Sequence, residues 1–176
     1  MSQPTDSSTK TAKRIIFYIQ ISLILFWGIL FWVDYFNHNF KVGAFFYTLV
    51  LGALGASISL LRRINSKDEI IIARIKEDRV YSIFVSVLYG VLMTGVGYLL
   101  FMSVILSGDN GGGLFTTNLF PNFTTPSGEN SLIRQFIEME PDGIKNTGKL
   151  LVWSFVAGYS ERFVTGILSQ LEKQGQ

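Results

Sequence analysis

The stretches of this chain that carry no charge decide what it can fold into. Ile15 to Val33 is nineteen residues without Asp, Glu, Lys or Arg, Val42 to Leu61 is twenty, and Val80 to Gly108 is twenty-nine. A bilayer hydrocarbon core of roughly 30 Å takes about 20 helical residues to cross. A helix buried in a soluble protein is rarely apolar on every face for that long. Within lipid, only a helix satisfies its own backbone inside one segment. Three spanning helices are therefore expected.

The fourth apolar segment is shorter. Leu150 to Ser160 is eleven residues before Glu161 and Arg162. A charge at mid-bilayer costs on the order of 2.5–3.5 kcal/mol on insertion scales. A cheaper arrangement lets Lys145 and Lys149 snorkel to one surface and puts Glu161 and Arg162 at the other. Beyond them Phe163, Val164, Ile167, Leu168 and Leu171 form one apolar stripe on a helix.

The expected fold is thus all-α and membrane-embedded: three long spans and a shorter fourth, over about 15–36, 42–62, 79–107 and 146–171. Residues 1–14 are polar and expected to be disordered, and 172–176 form a tail. Residues 62–79 are read as a charged, solvated connection, and 107–145 as the one sizeable loop. Within that loop, Leu132, Ile133, Phe136 and Ile137 share a helical face, and Pro141-Asp142-Gly143 turns the chain into the last helix. Lys10, Lys13 and Arg14 before an apolar run resemble the start of a signal peptide. The run is long, however, and no small-x-small site follows, so an uncleaved first helix is expected.

Charge sets the orientation. With four spans and a cytoplasmic N-terminus, the cytoplasmic side holds Lys10, Lys13, Arg14, Arg62, Arg63, Lys67, Arg74, Lys76, Arg79, Arg162 and Lys173. The outer side holds Lys41, Arg134, Lys145 and Lys149. Eleven cations against four select this topology, with both termini cytoplasmic. Trp32, Tyr35 and Phe36 then form an aromatic belt at the outer end of the first helix.

Little in the chain points to catalysis. There is no cysteine and one histidine, His38, in a turn between two asparagines. Asp109-Asn110-Gly111 starts like a calcium loop but lacks the later ligands. Gly95-Val96-Gly97 lies inside an apolar run, where it cannot cradle a phosphate. An enzyme, a cofactor and a nucleic-acid partner are not expected. A secondary transporter would want repeats and a charged midplane site, and a wide pore would want a long polar stripe.

Two features remain. Small residues recur every four positions: Thr48, Gly52 and Ala56, with Gly55 beside them; Ser82, Ser86, Gly90 and Thr94; then Ser154 and Gly158. Such spacing lets helix backbones approach closely in lipid, either within one bundle or between subunits. The second feature is the charge pair Glu161–Arg162. Glu161 is expected to meet Arg62 or Arg63 across helices at one interface.

The run Gly52-Ala-Leu-Gly-Ala-Ser-Ile-Ser-Leu-Leu-Arg-Arg63, a charged stretch, a third apolar helix and Ala157-Gly-Tyr-Ser-Glu-Arg-Phe163 together resemble a group of small bacterial membrane proteins. The resemblance spans about residues 45–170. Tyr159 stands where that group has Phe, and Thr165-Gly166 where it has Pro. It implies a multi-pass protein of the bacterial inner membrane, draws attention to Gly52, Gly55, Ser160, Glu161 and Arg162, and implies no activity. The expected role is a non-catalytic membrane module (assembly, anchor or effector subunit) that meets the bilayer, further copies of itself or a larger protein. The alternatives are a gated channel or pore-forming effector, and a small transporter subunit.

Overall fold

The computed structural model describes residues 5–36, 43–66, 68–103, 119–124 and 139–160. They form five helices: α1 (Thr5–Phe36), α2 (Ala44–Asn65), α3 (Glu69–Glu77), α4 (Arg79–Met102) and α5 (Gly143–Tyr159). A two-residue antiparallel ladder, β1 (Phe123–Thr124) and β2 (Glu140–Pro141), precedes α5. Three helices are long and apolar enough to cross a membrane, over Thr9–Phe36, Ala44–Asn65 and Arg79–Met102.

Helix α2 is the centre of the fold, with α4 and α5 against one side and α1 against another. Helix α1 leans on α2 through Trp27, whose ring meets the edge of Tyr47 at 6.4 Å, and through a hydrogen bond from Tyr47 Oη to the Leu30 carbonyl at 3.2 Å. Most of its apolar side chains, Ile24, Leu25 and Ile29 among them, face outward. In lipid that exposure costs nothing, because acyl chains are as apolar as the side chains.

The first helix begins at Thr5, so residues 5–14 are helical rather than disordered. Ala12 and Ile16 on its inner face are fully buried, in a cluster with Leu60, Ile64, Ile71, Ile75 and Ile83. The polar start of α1 is held by packing that depends on three other helices.

The charged connection after α2 is also structured. Helix α2 runs one turn past Arg62, with Ile64 in the same cluster, and α3 follows at once. The Asp68 side chain accepts from the backbone N–H groups of Ile70 and Ile71, which caps α3. Ile71 and Ile75, four apart, turn one face of this helix inward. Asp78 then caps α4 by accepting from the Tyr81 N–H at 3.1 Å.

The opposite end is aromatic. Tyr98, Phe101, Phe120 and Leu150 are buried together, with Phe45, Phe123 and Trp153 packed on them. Trp153 Nε1 donates to the Leu119 carbonyl at 2.9 Å, and Lys149 Nζ to that of Phe120 at 3.2 Å, so α5 pins the segment 119–124 over α4. Asp142 N–H donates to the Asn122 carbonyl, and Gly143, at φ 73°, opens α5 in the left-handed region that glycine enters without penalty.

Helix α5 starts three residues before the expected 146 and does not run unbroken to 171. Ser160 is extended (φ −122°, ψ 98°) and ends the helix. Residues 161–171, the interfacial stretch 131–138 and the last turn expected for the third span, 104–107, lie outside the described residues.

Candidate functional site

Glycines bring α2, α4 and α5 to a three-way junction. A β-carbon on Gly158 would overlap the Gly52 carbonyl, and one on Gly52 would overlap the Thr94 side chain. A β-carbon on Gly55 would strike the Phe155 carbonyl and come within 2.8 Å of the Tyr159 nitrogen. One on Gly90 would strike the Ala56 methyl and come within 3.2 Å of the Gly158 carbonyl. At these four positions the space for a side chain is taken by a neighbouring helix. Gly52, Gly55, Ala56, Gly90, Thr94, Ser154 and Gly158 thus lie together in one contact inside the chain.

The hydroxyls buried there are satisfied locally. Thr94 Oγ1 donates toward two carbonyls, Gly90 at 2.9 Å in its own helix and Ser154 at 3.2 Å in α5. Ser154 Oγ donates to the Leu150 carbonyl, Thr48 Oγ1 to Phe45 and Ser57 Oγ to Leu54. In hydrocarbon each would otherwise be an unmet polar group. Thr94 alone of these four links two helices by its hydroxyl.

Ser82 faces α3, and Ser86 sits between that contact and the junction. Ser82 Oγ donates to the Arg74 carbonyl, tying α4 to α3, and Ser86 Oγ donates to the Ser82 carbonyl. Their strip lines the cleft between α3 and α4, and Ser86 also borders a small pocket with Ala56, Gly90 and Gly158.

The charged end is arranged as follows. Arg63 Nε lies 3.2 Å from Asp68 Oδ2, an ion pair that joins α2 to the cap of α3. The Arg62 guanidinium stands 5.1 Å above the Tyr159 ring, within cation–π range. The Ile71 N–H holds the Asp68 carboxyl below its ordinary range; desolvation opposes it, and the Arg63 guanidinium adds to the lowering. Glu161 and Arg162 lie outside the described residues.

Several buried small residues are absent from the expected set, among them Ser57 and Ala53 in α2 and Ala157 in α5. Ala157 and Gly158 are adjacent, so α5 faces two helices at once, which a single four-residue spacing does not reveal. Among the described residues, no group of three His, Cys, Asp or Glu could hold a metal ion. No family model, no curated protein and no solved structure matches this chain.

Proposed function

We propose that the chain is a non-catalytic membrane module that assembles through α1, with the α2–α4–α5 junction as its rigid frame. The carrying observation is the contrast between helices. The junction consumes the small-residue faces within one chain, whereas only 6% of the apolar stretch of α1 is buried, against 44% for α2 and 28% for α4. The uncovered face carries Leu25, Ile29 and Trp32, all exposed, opposite the face on which Trp27 packs against Tyr47 of α2. Close packing of such faces draws membrane segments together. The partner in this reading is a second copy, in a cell membrane.

A channel through one chain draws less support. The four buried hydroxyls each give their proton to a backbone carbonyl, so none is left to donate to a permeating anion.

The chain has no cysteine, so single cysteines report cleanly. Cysteines at Leu25 or Trp32 of α1 are expected to cross-link between copies in native membranes, and those at Phe84 or Leu92 of α4 are not. Equal cross-linking from both helices, or none from α1, would overturn the reading.

A further inference from the structure

We infer that the cleft between α3 and the first turns of α4 is a binding site for one phospholipid with a zwitterionic ethanolamine headgroup. The cleft has a volume of about 370 Å³, within the range of roughly 300–1,000 Å³ typical of small-ligand sites. That holds a headgroup and the first part of a chain.

Its walls change character along its length. The inner wall is Leu60, Ile71 and Ile75, all buried, and Val85 forms the side toward lipid. The mouth carries Arg74, Glu77 and Asp78 at the junction of α3 and α4. Since α4 enters its span at Arg79, the mouth lies at the membrane surface. Ser86, at the far end, is seven residues further on, about 10 Å deeper at the helical rise per residue. The two hydroxyls deeper in the wall, Ser82 and Ser86, already donate to backbone carbonyls, so the charged side chains of the cleft are at its mouth, which is how a phospholipid lies in a leaflet.

Charge complementarity selects the headgroup. A guanidinium takes a phosphate through two parallel N–H donors. Among the described lining residues, the mouth adds two carboxylates, Glu77 and Asp78, beside Arg74. An anionic phosphatidylglycerol would meet the carboxylates with neutral glycerol hydroxyls and no positive charge to balance them. A phosphoethanolamine brings a phosphate for Arg74 and a primary ammonium with three donors for Glu77 and the free oxygen of Asp78. The three exposed charges of the described mouth residues, Arg74, Glu77 and Asp78, are then all used. The ammonium fits between carboxylates where the methyls of a choline would stand off their oxygens.

The test uses the full-length protein in detergent with short-chain phosphatidylethanolamine, phosphatidylcholine and phosphatidylglycerol, read by native mass spectrometry and thermal shift. Phosphatidylethanolamine is expected to bind most tightly and phosphatidylglycerol most weakly. Arg74→Gln should lower phosphatidylethanolamine affinity about tenfold, the loss expected for a charge-assisted hydrogen bond. Asp78→Asn keeps a side chain able to cap α4 and, with Glu77→Gln, should reverse the preference toward phosphatidylglycerol. Val85→Trp fills the cleft from the lipid side and should abolish the bound lipid in mass spectra. Equal binding of all three lipids would mean annular solvation only. That result, or a folded Arg74→Gln protein with unchanged affinity, would overturn the assignment.

Discussion

Gly158 of α5 rests so closely on Gly52 of α2 that the Gly52 carbonyl occupies the place of a β-carbon on Gly158. The obstacle is backbone and cannot rotate away. Gly158→Ala should therefore destabilise the protein toward the upper end of the range for overpacking, about 3 kcal/mol. Gly28→Ala meets nothing within 4 Å and should be neutral or gain roughly 0.5–1 kcal/mol, as for an exposed helical glycine. Thermal unfolding in detergent separates the two. Equal melting temperatures would mean that α5 is not seated on α2.

Thr94 ties α4 to α5 by a single hydroxyl. Thr94→Val keeps the shape and removes the donor. Measured interhelical hydrogen bonds in membranes average about 0.6 kcal/mol, so a loss of about that size is expected. Combining Thr94→Val with Ser154→Ala, whose hydroxyl bonds within α5, should be close to additive. The readout is reversible unfolding in mixed micelles, and strong coupling between the two would contradict the hydrogen-bond pattern.

Asp68 gives α3 a pH dependence. Its carboxyl is held below the ordinary range, first by the Ile71 N–H and then by Arg63. A depressed folded-state value means that the stabilisation is complete above the unfolded-state value and is lost as pH falls through the folded one. Amide exchange at Ile70 and Ile71 should stay slow at neutral pH, once corrected for intrinsic rates, and lose protection only on acidification below the usual carboxylate range. Asp68→Asn retains a capping oxygen and should flatten that dependence. A profile unchanged by the substitution would remove Asp68 as its source.

Orientation is open to direct labelling. Ile144 is 92% exposed next to the aromatic end, and Glu69 is exposed at the α3 end. Ile144→Cys is expected to react with an impermeant thiol reagent in intact cells, and Glu69→Cys only after permeabilisation. The reverse pattern would invert the topology.

The three spans were legible because an uncharged run of that length has one stable solution in lipid. The α3 end was less so. Asp68 followed by Ile71 and Ile75 is a cap and an inward face, but the dense charges around them read equally well as a solvated loop. The helical start at Thr5 carries no local signal. It depends on Ala12 and Ile16 meeting side chains from α2, α3 and α4. The aromatic end depends likewise on Trp153 reaching Leu119, thirty-four residues away. The spacing of Gly52, Gly90 and Gly158 announced close approach without saying whose backbone approaches. That distinction is geometric, since a four-residue stripe looks the same turned inward or outward.

The glycine junction also orders the protein's synthesis. Helices α2 and α4 leave the ribosome long before α5, so the surface they share must wait in lipid with Gly52 and Gly90 bare. Until α5 arrives, acyl chains fill the notch, and α5 must displace them to seat. Its uncharged stretch from Leu150 to Tyr159 reaches only about 15 Å, half a bilayer, so the α2–α4 surface, more than lipid, holds it in place. The nascent chain therefore holds a template before it holds the piece that fits, and the seating of α5 is a docking event.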